Sequence, residues 1–115
     1  MANTFKVVTK ANVTSADIIY TVAGSTTTVI LGLVLGNTTA SQITTTVSLA
    51  TDTSNRAGAN NEANQTVELV TNAPIPAGSS LEMLAGNKVV METTDALSVT
   101  GSGATDVVLS IMEMT

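Results

Sequence analysis

The chain has 115 residues, room for one domain with a hydrophobic core and too few for two. Hydrophobic residues make up 43% and charged residues only 11%, where soluble domains carry roughly 25% charge. That excludes a disordered tail, and a net charge of −5 with only Lys6, Lys10, Arg56 and Lys88 basic excludes a dedicated nucleic-acid binder.

Residues 1–16 read as an N-terminal arm, with one short strand at 5–10. Ile18-Ile19-Tyr20-Thr21-Val22 predicts a strand, stopped by Ala23-Gly24-Ser25. Residues 26–36 predict a longer one. Its segment 29–35 is apolar on both faces and rich in β-branched residues, the pattern of a central strand buried on both sides. Gly32 inside it marks a bend or a close backbone approach. After a turn at 37–40, Ile43, Thr45, Val47 and Leu49 alternate with polar residues and share one face of a half-buried strand.

Residues 51–65 carry no apolar periodicity and form one long polar loop, either a mobile excursion or a contact arm for a neighbouring subunit. A strand at 66–70 follows. Pro74 and Pro76 then make 73–78 a rigid connector, because each fixes φ and lacks a donor. Segments 80–84 and 88–92 predict a hairpin about 85–87, and 96–100 with 106–114 a second one across 101–104. In the last strand Val107, Leu109 and Ile111 share one face, and Val108, Met112 and Met114 the other. The sum is an all-β chain of about eight short strands with turn signals every 8–12 residues and no substantial helix. The expected fold is an antiparallel β-sandwich, jelly-roll-like, in a single domain spanning 1–115.

The chain has no His and no Cys. Histidine-based acid–base catalysis, cysteine nucleophiles, disulfides and thiolate metal sites are therefore unavailable, and no nucleophile elbow, P-loop or zinc-protease motif occurs. Glu82, Glu92 and Asp95 are the carboxylates that a hydrolase would need, but they read as solvated strand-edge or turn residues. Asp52, Asn55, Asn60, Asn61 and Glu62 offer oxygen ligands, yet their spacing matches no EF-hand loop. No metal or cofactor is expected. Asn12, Asn37 and Asn64 each begin a glycosylation triplet of a kind that a Thr- and Asn-rich chain produces by chance. The first residues show no signal-peptide pattern, and residues 29–35 fall far short of the roughly 20 needed to span a bilayer. The expectation is a soluble protein made in the cytoplasm, with no membrane partner.

The string Pro74-Ile75-Pro76-Ala77-Gly78-Ser79-Ser80-Leu81-Glu82 is followed by Leu84-Ala85-Gly86-Asn87-Lys88-Val89-Val90-Met91-Glu92. Then come Asp95-Ala96-Leu97-Ser98-Val99 and Asp106-Val107-Val108-Leu109-Ser110-Ile111-Met112-Glu113. Together these resemble a module of small structural proteins of tailed bacteriophages, including those of marine and cyanobacterial hosts. The stretch from Tyr20 through Thr28 to Leu33 is similar to the first half of that module, so the resemblance covers most of 18–114. The loop at 51–65 departs from it. The resemblance implies a β-sandwich virion component, made in the host cytoplasm and assembled in symmetric copies on the capsid, neck or tail.

The resulting expectation is a non-enzymatic virion protein, a capsid decoration (cement) or accessory subunit. Its partners would be its own copies and a major virion protein. Alternatives are a neck or tail component, or a host-surface or glycan-binding module, the last opposed by having only Phe5 and Tyr20 as aromatics. Exposure and strand-addition logic select the candidate contacts. They are Phe5 and Lys6 in the arm, Asn55, Arg56, Asn60 and Asn61 in the loop, and Met112 and Met114 in the final strand. Met112 and Met114 also admit plain core filling, Met being adaptable to either setting.

Overall fold

A computed structural model of the chain describes residues 2–52, 64–84 and 88–115. Within them run nine strands: β1 (Asn3–Val13), β2 (Asp17–Thr21), β3 (Thr27–Asn37), β4 (Ile43–Thr51), β5 (Gln65–Ile75), β6 (Ser80–Met83), β7 (Val89–Met91), β8 (Ala96–Gly101) and β9 (Thr105–Met114). No helix occurs among the described residues, hence none long and apolar enough to cross a membrane.

The strands form two antiparallel sheets. One has the order β1-β9-β3-β6, with β7 also on β3, and the other the order β2-β8-β4-β5. Partners nest along the sequence. β1 pairs with β9, β2 with β8, β3 with β6 and β7, and β4 with β5, while β3–β9 and β4–β8 pairs close each sheet. One long hairpin rolled on itself gives this order, which is the jelly roll. Hydrophobic burial drives the two sheets together, and the core between them holds Ile30, Leu33 and Leu35 of β3, Leu109 and Ile111 of β9, Leu97 and Val99 of β8, and Val47 of β4. Each such side chain contributes about 1.5–3 kcal/mol by leaving water.

Strict alternation places Ile43, Thr45, Val47 and Leu49 inward on β4, and Val107, Leu109 and Ile111 inward on β9, as the period-2 pattern predicts. Gly32 sits at a bulge, since the β3–β9 register shifts between Ile30 and Gly32. A Cβ there would meet nothing within 4 Å, so the glycine marks a bend and not a close approach.

Four sequence expectations are corrected. Residues 29–35 are buried on one face only. Ile30, Leu33 and Leu35 face the core, while Val29 and Leu31 are half-buried and Val34 is exposed, because no strand among the described residues covers the outer side of this sheet. The strand expected at 66–70 continues through Pro74 to Ile75, which β5 tolerates as the sheet's edge, where a missing donor can face outward.

Segments 80–84 and 88–92 form no hairpin. β6 runs from Gly36↔Ser80 to Leu33↔Met83 and β7 from Ile30↔Val89 to Thr28↔Met91, so both line the single long edge of β3. A hairpin would leave half of that edge unpaired. Nor do β8 and β9 pair with each other. The chain crosses between sheets at 101–105, where Ser102 N donates to Thr44 O (2.9 Å) and Thr44 N to Ser102 Oγ (2.8 Å).

Candidate interaction surface

The strand at 5–10 is one segment of β1, which pairs with β9 from Asn3↔Met114 to Lys10↔Val107, then shifts register before Val13↔Thr105. Directly opposed residues of an antiparallel ladder share a face, so rows can be traced across the β1-β9-β3 sheet. Phe5, Met112, Val29 and Val90 are successive partners over four strands. Val7 meets Ser110 and then Gly32; Thr9 meets Val108, Val34 and finally Glu82. This is the outer face. It exposes Phe5 (71%), Val7 (61%), Val90 (57%), Val108 (41%) and Val34 (37%), five of the seven most exposed large hydrophobics among the described residues. No charged residue interrupts the two upper rows, and Glu82 stands at the margin.

The opposite sheet presents a different outer face. Thr46 pairs with Thr100, Ser48 with Ser98 and Ala50 with Ala96, so small and hydroxyl-bearing side chains line its two central strands, with exposed Ile18 and Glu68 at the two ends of the Ser98–Ser48 row. One side of the sandwich thus carries contiguous apolar rows, while the other is mostly hydroxyl-bearing with Ile18 as an isolated apolar side chain.

Of the candidate contacts, Phe5 and Met112 are neighbours on the apolar face. Met114, the partner of Asn3 and Thr27, lies half-buried at its end. Lys6 points to the other side of β1, toward the seam between the sheets. Its Nζ is 2.7 Å from Glu113 Oε1. Tyr20, reaching over from β2, donates its hydroxyl hydrogen to Glu113 Oε2 and lies 2.7 Å from Thr28 Oγ1. The Lys6 hydrogen bond, then that of Tyr20, holds the Glu113 carboxyl below the usual carboxylate range. Burial, followed by the bond to Glu113, pushes the Tyr20 phenol up to about 12. Four residues from three strands of one sheet and one of the other form this staple. Asn55, Arg56, Asn60 and Asn61 lie outside the described residues, as does most of the loop at 51–65.

Val7, Val34, Val90 and Val108 complete the face and were not among the candidates. The alternation of Phe5 and Val7 with Lys6, and the second apolar face of residues 29–35, carried the signal for them.

The carboxylates do not converge on a site. Glu82 is exposed on β6. Asp95 is wholly buried, not a solvated turn residue: its Oδ1 accepts from Asp52 N (3.1 Å) and its Oδ2 from Glu92 N (3.0 Å), tying the end of β4 to the turn after β7. Among the described residues no three of His, Cys, Asp and Glu are grouped to hold a metal ion. A shallow cleft of about 410 Å³ is lined by Ser25, Thr26, Thr27, Glu92, Thr93 and Thr94. Thr93 Oγ1 already donates to Thr26 O (3.1 Å) and accepts from Thr26 N (3.3 Å), so these two walls are bonded to each other. Neither aromatic lines it. Of the glycosylation triplets, Asn37 is buried and its Nδ2 is engaged by the carbonyls of Ser41, Ile75 and Pro76.

No protein-family model matches the chain, and no curated protein does. Among solved structures it is similar to a chain of Bacillus endospore appendages, a family of disulfide-linked pili, at 15% identity and a TM-score of 0.49, over 97% of this chain and 84% of that one. It is also similar to a chain of the T13 IBDV viral particle at 9% identity and a TM-score of 0.49, over 96% of this chain. The present chain spans 35% of that second protein's length.

Proposed function

We propose that the chain is a non-enzymatic structural subunit of a bacteriophage virion, a capsid decoration or accessory protein that packs against its own copies and a major virion protein. The observation that carries this is the exposed apolar face of the β1-β9-β3 sheet, with Phe5, Val7, Val90, Val108 and Val34 in contiguous rows among the described residues. Monomeric proteins rarely leave such a patch open. Four strands about 4.8 Å apart, rising about 3.4 Å per residue over ten residues, make a face of roughly 600 Å². A stable interface needs about 800 Å² from each partner, so the face supplies most of one without rearrangement. The resemblance of most of residues 18–114, the loop at 51–65 apart, to phage structural modules supports the virion setting, and the 11% charged fraction fits, since charged residues are depleted in interface cores. A subunit that binds the assembled particle and not its dispersed parts stabilises the particle by mass action.

The test is the mass of the protein by light scattering, together with co-sedimentation with purified phage heads and tails. Symmetric oligomers that pellet with empty heads are the expected result. Pelleting with tails alone would move the protein to the neck or tail, and binding to neither would overturn the proposal.

A further inference from the structure

We infer that β1 is an exchangeable strand, which leaves β9 of its own chain and pairs in the same register with β9 of a second copy. This rests on the reading of the chain as a self-associating subunit and names how the copies are joined. Of the eleven residues of β1 only Val13 is buried and only Val8 half-buried. β9 and β3, by contrast, bury every second side chain along most of their length. Backbone hydrogen bonds to β9, the Asn12 N–Asp106 Oδ1 bond and the Lys6–Glu113 and Lys10–Asp17 pairs are therefore most of what holds β1 in place, and each can be remade with a second copy. Detaching it opens little of the core.

The strand also has a pivot. The β1–β9 register breaks between Lys10 and Val13, and Asn12 at the break adopts φ 58. Val13, buried, anchors the strand's end in its own core. The occupant is identified by charge. Residues 1–16 contain Lys6 and Lys10 and no acid, whereas residues 17–115 contain nine acids and only two basic residues, Arg56 and Lys88. A basic arm on an acidic body fits the body of any other copy as it fits its own. Exchange keeps each contact of the folded chain, Phe5 beside Met112 included, and converts it from internal to shared.

Two single-cysteine variants of different mass, Lys10→Cys and Val107→Cys, are mixed at rising concentration and oxidised; the chain has no other thiol. Lys10 and Val107 are register partners, within disulfide reach across an antiparallel ladder. Val107 faces the core, so contact between outer faces cannot bring it to another copy's Lys10. The expected product is a mixed covalent dimer, at least tenfold more abundant than the same-variant dimers. A mixed dimer no more abundant than those overturns the exchange. Hydrogen exchange on the unaltered chain is the second readout. Amides of β1 are expected to exchange at least tenfold faster than those of β3, and equal protection also overturns the inference. Oligomers by light scattering without the mixed dimer sink the exchange and leave the assembly reading standing. A chain that stays monomeric at every concentration sinks both.

Discussion

Single residues in this sandwich hold distant segments together, and Asn37 does so most densely. Its Nδ2 donates to Ser41 O, Ile75 O and Pro76 O at 2.8, 2.9 and 3.2 Å, while its Oδ1 accepts from Thr39 N and Thr39 Oγ1, both at 2.8 Å. Asn37→Asp keeps the shape but sets a carboxylate against three carbonyl oxygens. It is expected to lower stability by about 2–4 kcal/mol, read as a drop in the urea midpoint at unchanged slope. Thr45 poses the opposite case. Its Oγ1 is the one buried side-chain oxygen without a hydrogen-bond partner among the described residues. Thr45→Val removes that unpaired hydroxyl at constant volume and is expected to stabilise by about 1 kcal/mol in the same assay.

Glu113 brings pH into the account. Its folded pKa lies below the ordinary 4.5. The stability it supplies is therefore present above that value and lost as pH falls through the folded one. Tyr20 is the mirror case, raised from 10.0 to about 12, so its share is present below about pH 10 and lost as pH rises toward 12. The unaltered protein should lose stability on acidification more steeply than Glu113→Gln, measured as urea midpoint against pH below 4.5. Parallel profiles would refute the role given to the carboxylate.

At the scale of elements, what the sequence made legible was the alternation within strands, and what it hid was their partners. Ile43 to Leu49 and Val107 to Ile111 show their inward faces by period alone. Pairing is set by tertiary closure instead. β6 and β7 look like a hairpin from their turn residues, yet the edge of β3 claims both. The apolar face was legible in part, through Phe5, Met112 and Met114. The rest was hidden because an outward valine and an inward one look alike until the exposure of the sheet's outer face is known. Gly101 shows how closely the crossing from β8 to β9 is built. A Cβ there would stand 2.5 Å from Thr105 Oγ1, 2.7 Å from Val13 O and 2.8 Å from Gly103 O. Two of these are backbone atoms that cannot swing aside, so Gly101→Ala is expected to cost about 1–3 kcal/mol. Gly24→Ala, with nothing within 4 Å of its Cβ, is the control and should leave the thermal midpoint in place.

For the whole molecule, the two outer faces differ in polarity, and the proposed assembly uses the apolar one. Val108 is exposed on the apolar face, between Thr9 and Val34 in the row that ends at Glu82. Val108→Glu is therefore expected to leave monomer stability within about 0.5 kcal/mol. Association between copies should weaken at least tenfold, because a buried carboxylate would face apolar rows or its own image. Sedimentation equilibrium separates the two effects. Unchanged association would show that the face is not where copies meet.

The nested pairing also governs the order in which the fold can be reached. β4 and β5 are neighbours in sequence, but Asn3 meets Met114 from the far end of the chain. Contacts of such wide separation make folding slow, on the order of milliseconds to seconds for sandwiches of this kind, because loop entropy is lost before distant pairs repay it. Until β9 exists β1 has no mate. During that interval β1 is open to the finished β9 of any neighbouring copy, so under the proposed exchange of β1 the protein concentration during folding is expected to decide between separate beads and a linked chain.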